Sequence, residues 1–587
     1  MKKLFNFPAA IGWRDHVLGG FLGATYVAWL LITSRTLGFA RDEGFYFRAA
    51  TDYARWFRLL FEHPARAFER ANIDSSWATN HEHPALMKSL FALSWMFLHE
   101  KWKIFTDAST AFRFPGMVMA GIALWLTYMF AARVYSRRAG IIAAVLLGLM
   151  PRVFYNAHLA CFDVPILTMW MACIYVYWRS ETQGGLAWAI MAGAIYGLTL
   201  ETKHNAWLLP AVFLVHAVFV HGRQLPRYLK RGTLPLPTSL VMMAVMGPLI
   251  FWALWPWIWN DPLPRIQEYM NFHLNHEYYT IEFLHVNYFS APSPKSYMPV
   301  MLLATVPSVT LLLFLVGAQD RARHAIGRVR VRVAKLLKRE VPETTVTATE
   351  TETPAATPAS STPKVAADKH ETDLLLLLAM AVPLAVFLLP KTPIFGGTKH
   401  WIPAYPFLCI FAGRGFDVVA DKMMKALEHV RRSSLSGGMR LGAQVALGIS
   451  VTLGPLLVTA HSHPFGLSSY VPFAGGTAGA ADLGLNRQFW GFTTQSLASY
   501  FAAKAPIGSR IYICDTAWDS WARLVAEKRL RPDLRAVGGP GEADFAIVHH
   551  ELHMGEVDFG IWSAFHHLAP DMVLTHDGVP IISVYKK

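Results

Sequence analysis

The chain has 587 residues, of which 53% are hydrophobic, 13% aromatic and only 16% charged, and its formal net charge is +14 at pH 7. This composition excludes an ordinary soluble domain and is typical of a polytopic membrane protein. Most of the basic excess lies in short loops between apolar runs, so it indicates membrane orientation rather than nucleic-acid binding. The four cysteines, Cys161, Cys173, Cys409 and Cys514, show no paired spacing that would indicate a disulfide framework or a metal cluster.

Apolar runs with the length of membrane helices recur along the chain. A spanning helix needs about 20 apolar residues. The candidates are approximately 16–37, 114–135, 139–151, 163–179, 186–201, 205–220, 237–258, 297–317, 373–390, 401–418 and 441–461. The short ones need neighbouring helices to shield their ends. The pattern predicts a mainly α, polytopic membrane protein with about 11 transmembrane helices.

Lysine and arginine set the expected orientation. With the N-terminus in the cytoplasm, the segments 133–138, 221–231, 320–373 and 421–440 are basic cytoplasmic loops, which satisfies the positive-inside rule. Absence of an Asn-x-Ser/Thr sequon favours a bacterial membrane over a glycosylating lumen. We therefore expect a multi-pass protein of the bacterial cytoplasmic (inner) membrane, with its long loops and C-terminal segment in the periplasm.

The first long loop, 38–113, contains two amphipathic segments. Pro84 to His99 has an apolar face at helical spacing, but Lys88 lies near its middle. A second such segment covers about 45–60. We expect both to be interfacial helices rather than spans, because a crossing here would place the later basic loops outside.

Composition divides the chain into four parts. Residues 1–320 are the expected main transmembrane module, with periplasmic loop 38–113. Residues 321–372 are a basic stem and a disordered, low-complexity cytoplasmic insertion rich in Thr, Ala, Pro and Glu. Residues 373–461 hold the remaining transmembrane helices. Residues 462–587 alternate predicted strands (510–514, 543–549, 581–585) with helices (493–505, 516–528), which predicts a small periplasmic α/β domain.

Polar residues on the non-cytoplasmic side gather at the ends of apolar helices. They are Asp42, Glu43, Asn80 to His83, Arg152, Tyr155, Asn156, His158, Asp163, Glu201, Lys203, His204, Asn205, Lys391, Lys399 and His400. An ionisable group at membrane depth costs at least about 2–3 kcal/mol unless it is paired or wetted, so such groups usually mark a site. The carboxylates come from the early loops and most of the cations from the later ones.

Five elements in order then resemble a known family. They are Asp42-Glu43 after the first run, His83-Pro84-Ala85-Leu86, Asp163 after Pro151, Leu200-Glu201-Thr202-Lys203-His204, and Gly397 to Trp401 running into Pro403-Ala404-Tyr405-Pro406. This order resembles the GT-C glycosyltransferases related to protein O-mannosyltransferases and to the lipid A aminoarabinose transferase, over about 1–420. The His-Glu-His-Pro form of the loop and the long insertion depart from the family pattern.

The resemblance implies transfer of a sugar from a polyprenyl monophosphate to a hydroxyl of a protein, of lipid A or of an envelope glycan. Asp42 is then the expected general base of an inverting reaction. Glu43 is the alternative base or a partner that fixes a neighbouring helix, and Asp163 is a third catalytic candidate or a simple N-cap.

The expected phosphate ligands are Lys203 first, then Lys399 and His400, with His204, His83 and Arg152 completing the substrate-binding set. The alternatives are a snorkelling Lys203, an interfacial His400 and a helix-capping role for His83. By the resemblance we expect no cofactor and no metal, because monophosphate carriers are commonly used without one. His81, Glu82 and His83 do not indicate a zinc site, because three consecutive residues cannot easily point at one ion.

Two other classes remain open. A polytopic transporter or flippase of a polyprenyl-linked sugar would show internal repeats with broken helices in matching positions, and no such repeat is found. A membrane scaffold with a partner-binding C-terminal domain would leave the pattern of Asp42, Lys203 and Lys399 unexplained.

Overall fold

The fold is mostly helical. The computed structural model describes residues 11–222, 230, 236–336, 370–389, 391, 392, 394, 396–551 and 554–587. The predicted low-complexity tract, 341–370, lies outside the described residues except for its last position.

The helices that the structure describes before the insertion include at least one at each of the predicted apolar runs in that part of the chain. They are α1 (Trp13–Thr33), α2 (Arg41–Glu62), α3 (Pro64–Ala67), α4 (Arg70–Trp77), α5 (Leu86–Ser94), α6 (Ala108–Val134), α7 (Arg137–Gly148), α8 (Pro151–Ala157), α9 (Asp163–Gln183), α10 (Leu186–Leu200), α11 (Leu209–His221), α12 (Thr238–Leu254), α13 (Pro262–Leu274), α14 (Tyr297–Thr305) and α15 (Ser308–Leu336). The helices predicted in the first loop are confirmed as α2 and α5, and a π-helical turn, Trp95–Lys101, continues α5.

The described residues after the insertion form seven helices. They are α16 (His370–Ala385), α17 (Tyr405–Arg431), α18 (Gly437–Ser462), α19 (Gly476–Asp482), α20 (Ala498–Lys504), α21 (Trp518–Ala526) and α22 (Gly555–Phe565). Short 3₁₀ turns at His204–Leu208, Gly397–His400 and Ile402–Ala404 lie at the ends of the apolar helices.

Each of the eleven predicted membrane segments is helical, but the segments differ in length. By length and composition alone, five helical segments in the described residues can cross a membrane, and up to seven can if each of two bent pairs is one span. Three shorter apolar helices, Leu186–Leu200, Thr238–Leu254 and Thr372–Leu388, account for three more of the segments. The remaining helix, α9, is not among these apolar spans and lies largely buried in the bundle. The chain is a multi-pass membrane protein.

Glycine allows close helix contacts in the bundle. A Cβ added to Gly23 of α1 would lie 2.5 Å from the carbonyl oxygen of Gly121 in α6. Gly317 of α15 and Gly415 of α17 approach each other's helix backbones in the same way. Such contacts stabilise helix pairs in lipid, where the hydrophobic effect does not drive association.

The C-terminal segment contains the predicted α/β unit. In the part of this segment that the structure describes, the strands are β3 (Arg510–Tyr512), β4 (Arg535–Val537), β5 (Phe545–His549), β6 (Met572–His576) and β7 (Val579–Lys586). The strand order is β4-β3-β5-β7-β6, with β3 parallel to β4 and β5, and β7 antiparallel to β5 and β6. A separate hairpin, β1 (Ile281–Phe283) with β2 (Val286–Tyr288), lies after α13.

This α/β unit packs directly on α2. A Cβ on Gly44 would lie 2.7 Å from the amide nitrogen of Ser520 in α21, so the two backbones are in close contact. The Ser520 hydroxyl donates a hydrogen bond to the carbonyl of Ala40, and the Arg41 amide donates one to the carbonyl of Trp490. The C-terminal unit therefore fixes the N-terminal turn of the helix that carries Asp42.

Candidate active site

Glu43 lies in the first turn of α2 and is fully buried. Its Oε1 accepts hydrogen bonds from Nε of Arg113 at 2.7 Å and from the Ala160 amide at 3.0 Å. Its Oε2 accepts from Nη2 of Arg113 at 2.8 Å and from the Ala40 amide at 3.1 Å. Since a carboxylate offers about four acceptor positions, those of Glu43 are filled. The geometry suits a clamp between helices rather than a proton acceptor.

Asp42, the neighbouring residue, has a different environment. Its side chain is 25% exposed, and its Oδ2 lies 3.3 Å from Nζ of Lys399. The same ammonium group lies 3.8 Å from the ring centroid of Trp490, in the C-terminal segment. Asp42 thus faces an accessible space with a cation beside it, and three distant parts of the chain meet there.

A second, buried ion pair joins Asp163 and Lys203. Nζ of Lys203 donates to Oδ1 of Asp163 at 2.7 Å, and the two side chains are 8% and 5% exposed. Asp163 begins α9, and Lys203 follows α10 just before the 3₁₀ turn His204–Leu208. Both residues therefore lie at helix ends, where a polar pair can border a cavity while the helices remain apolar.

Tyr46 connects the two ion pairs. Its ring packs against Phe162, with the centroids 4.2 Å apart, one residue before Asp163. Burial, followed by the carboxylates of Asp42 and Asp163, raises the pKa of the Tyr46 hydroxyl well above its usual value. One carboxylate of each ion pair therefore lies near this hydroxyl.

Three histidines form a cluster beside these pairs. The rings of His204 and His273 have centroids 4.0 Å apart, and those of His83 and His273 are 5.5 Å apart. Burial, followed by neighbouring cations that include Lys203 and Lys399, lowers the pKa of His83 well below its usual value. Burial also lowers the pKa of His273 to about 4. One ring nitrogen from each histidine lies within 4.8 Å of the other two, so this cluster could hold a metal ion.

His400 and Arg152, the other two predicted ligands, are both buried. The backbone carbonyl of His400 accepts a hydrogen bond from the Asn205 side chain at 3.2 Å, which ties the Gly397–His400 turn to the segment after Lys203. The guanidinium of Arg152 lies 5.1 Å from the centroid of Tyr470. Arg152 is therefore held by the C-terminal segment.

The structure adds four residues that the sequence reasoning missed. Arg113 is the last residue of the predicted loop 38–113, and the structure places it inside α6, where an arginine usually has a buried partner. His273, in the last turn of α13, and Trp490, in a loop, belong to no recognised motif, and Tyr46 is one of several aromatic residues that follow Asp42. Their positions result from contacts between distant segments.

Residues 91–252 match the family model described as dolichyl-phosphate-mannose-protein mannosyltransferase. The chain is a glycosyltransferase, and this segment of it is similar to the protein mannosyltransferases that the family model describes. The matched segment contains Arg152, Asp163, Lys203 and His204 of this transferase. This match supports the family prediction made from the sequence motifs, and the prediction that the chain is a glycosyltransferase is confirmed.

Solved structures give matches over almost the whole chain. The transferase is similar to ArnT from Cupriavidus metallidurans bound to undecaprenyl phosphate, with 14% identity, 98% of each chain covered and a TM-score of 0.44. It is also similar to the apo oligosaccharyltransferase of Archaeoglobus fulgidus, with 12% identity, 95% of this chain and 71% of that chain covered, and a TM-score of 0.47. These similarities assign no ligand and no residue role. No curated protein sequence matches the transferase.

Proposed function

We propose that the transferase moves a sugar from a polyprenyl-phosphate donor to an acceptor hydroxyl on the periplasmic face of a bacterial cytoplasmic membrane, with inversion at the sugar. The single observation that carries this proposal is the pair of carboxylate–lysine contacts, Asp42–Lys399 and Asp163–Lys203, around one site. Sugar transfer from a lipid phosphate needs a base for the acceptor and cations for the departing phosphate, and these pairs supply both. ArnT in the matched structure binds undecaprenyl phosphate, and a related archaeal structure holds dolichol-phosphate and an inhibitory peptide.

Asp42 is the proposed general base. It is the more exposed of the two adjacent carboxylates, whereas Glu43 has its acceptor positions filled by Arg113 and backbone amides. A positioned base contributes roughly 10²–10⁴-fold to such a proton transfer. The acceptor hydroxyl would give its proton to Asp42 as its oxygen attacks the anomeric carbon, and the bond from that carbon to the donor phosphate would break.

Lys203 and Lys399 are the proposed phosphate ligands. Each already neutralises a carboxylate, so each is held in place before the donor arrives. A phosphate bound between them would draw Lys399 from Asp42 and leave that carboxylate free to accept a proton. Each charged hydrogen bond to the phosphate is worth roughly 1.5–3 kcal/mol, and fixed cations stabilise the charge that develops on the leaving oxygens.

The test is sugar transfer in reconstituted vesicles. A panel of polyprenyl-phosphate hexoses, pentoses and aminosugars is supplied with an envelope extract as the acceptor. Wild type is compared with Asp42→Asn and Lys203→Ala. The matched control is Asp52→Asn, on the outer half of α2, where Asp52 bonds Thr79 and Arg55. Transfer by wild type and the control, and not by the other two, supports the proposal. Movement of carrier lipid between leaflets without sugar transfer contradicts it.

A further inference from the structure

The three-histidine cluster combines residues from three separate segments of the chain. His83 precedes Pro84 in the first long loop, His204 follows the lysine at the end of α10, and His273 lies in the last turn of α13. The nearest ring nitrogens of all three lie within 4.8 Å of one another. Tertiary structure, and not a sequence motif, brings them together.

Two ring nitrogens of the cluster have no protein partner among the residues that the structure describes. In the described part of the chain, Nδ1 of His83 and Nδ1 of His204 are buried and have no hydrogen-bond partner. Nε2 of His273 lies 2.9 Å from the carbonyl oxygen of Glu82, so this nitrogen carries the proton and Nδ1 of His273 keeps its lone pair. A backbone carbonyl that fixes the tautomer in this way is the usual second contact of a metal-binding histidine.

We propose that His83, His204 and His273 form a zinc site at the edge of the active site. Imidazole nitrogens suit Zn²⁺, and three protein ligands with one open position are typical of zinc sites that bind a substrate or water. Zn–N bonds are about 2.0–2.1 Å long, so a tetrahedral ion separates its nitrogens by roughly 3.4 Å. The rings need to move by about 1 Å to reach that geometry.

The charges around the cluster determine which ligand suits the fourth coordination position of the zinc ion. Lys203 and Lys399 lie close enough to act on His83 electrostatically, and their carboxylate partners neutralise them. A dication added here favours an anionic fourth ligand. Resting on the function proposed above, that ligand would be an oxygen of the donor phosphate, held between the zinc ion and the two lysines.

The site can be tested without sugar transfer. The full chain in detergent is stripped with a chelator, given one equivalent of Zn²⁺, and analysed for metal content and for affinity by competition with a chromophoric chelator. Loss of a second-shell partner alone typically costs 10–100-fold in affinity. We therefore expect wild type to hold one zinc per chain, and His83→Ala, His204→Ala and His273→Ala each to bind at least about 100-fold more weakly.

His81→Ala is the matched control, because His81 lies two positions before His83 but bonds Glu268 and the carbonyl of Ala78 instead. It should bind zinc like wild type. His273→Phe keeps a ring against Trp207 and Tyr269 and removes only the ligand, so it covers the case in which His273→Ala does not fold. Substoichiometric zinc in wild type, or equal affinity in His273→Phe and His81→Ala, would overturn the site.

Undecaprenyl phosphate, added to the zinc-loaded chain, tests the fourth ligand. Addition of undecaprenyl phosphate should change the X-ray absorption spectrum at the zinc edge in wild type. Addition of the same lipid with a free alcohol in place of the phosphate should leave the spectrum unchanged. An unchanged spectrum with stoichiometric zinc would overturn the phosphate contact and leave the three-histidine site standing. This outcome is distinct from failure of the proposed function, which is measured by transfer.

Discussion

Nζ of Lys399 lies 3.3 Å from Oδ2 of Asp42, across 357 positions of the chain. Asp42 is 25% exposed in this pair, whereas Asp163 is only 5% exposed in its pair with Lys203. The accessible carboxylate is therefore the one that can meet an acceptor. The buried pair is the one that can hold a lysine in a fixed position.

Asp42→Asn should separate catalysis from donor binding. We expect kcat to fall by about 10²–10⁴-fold, because the amide cannot accept the proton of the acceptor hydroxyl. Donor binding should be unchanged or tighter, since Lys399 loses its competing carboxylate. Single-turnover transfer together with equilibrium binding of the polyprenyl phosphate measures both. If donor affinity fell as much as kcat, Asp42 would be a donor-binding residue and not the general base.

Lys399→Met should give the complementary result. Removal of one charged hydrogen bond to phosphate costs roughly 1.5–3 kcal/mol, which corresponds to about 10–150-fold weaker donor binding. Methionine keeps much of the apolar length of the side chain, so the fold should survive. The same binding assay measures the change, with exposed Lys504→Met as the control. Unchanged donor affinity would remove Lys399 from the phosphate site.

Glu43→Gln should affect stability more than any other change near the site. Glu43 and Arg113 are 0% and 1% exposed, and removal of one partner of a buried pair leaves the other charge uncompensated, at a cost of about 3–5 kcal/mol. Thermal unfolding in detergent should show a large drop in Tm. Glu100→Gln breaks a pair whose side chains are 37–40% exposed and should change Tm little. Equal shifts would contradict the clamp role of Glu43.

Hydrophobic periodicity predicted where the helices lie, because each must bury or expose a long apolar face. It also predicted three strands of the C-terminal sheet. It missed β4, which has only three residues, and β6, which has exposed apolar positions such as Val573. It could not predict the pairing of polar residues, since Glu43 reaches Arg113 and Asp42 reaches Lys399 only after the helices pack.

Trp490 is expected to tune the affinity for the donor from the C-terminal segment. Its φ of 77° is uncommon for an aromatic residue, and its ring lies 3.8 Å from Nζ of Lys399. A cation–π contact is worth about 0.5–2 kcal/mol, so Trp490→Ala should weaken donor binding by about 2–30-fold. Trp490→Phe should recover part of the affinity. Trp518→Ala, at a 58% exposed tryptophan, is the control and should bind donor like wild type.

Cysteine labelling can test the proposed sidedness. Ile507, in the C-terminal segment, is 91% exposed, and Val430, at the end of α17, is 81% exposed. In a Cys514→Ser background, a membrane-impermeant maleimide applied to spheroplasts should label Ile507→Cys and not Val430→Cys. After the membrane is permeabilised, the maleimide should label both cysteine variants. The reverse pattern in intact spheroplasts would place the C-terminal segment and the site in the cytoplasm.

Glu551 should make stability depend on pH. Burial raises the pKa of its carboxyl from the ordinary 4.5 to about 8, and Gln488 donates a hydrogen bond to it. Between these two values the folded chain binds more protons at this group than the unfolded chain. The stability that the group contributes is therefore fully present below pH 4.5 and is lost as the pH rises through about 8.

Glu551→Gln stays neutral and keeps an oxygen for Gln488, so it should remove this dependence. Its Tm should be close to that of wild type near the acidic end of this range and higher than wild type at its alkaline end. Thermal unfolding in detergent across the range measures the difference, and the comparison cancels the titration of other groups. Glu556→Gln, on the exposed first turn of α22, should show no such divergence. A constant Tm difference between Glu551→Gln and wild type would mean that the carboxyl titrates alike in the folded and unfolded chain.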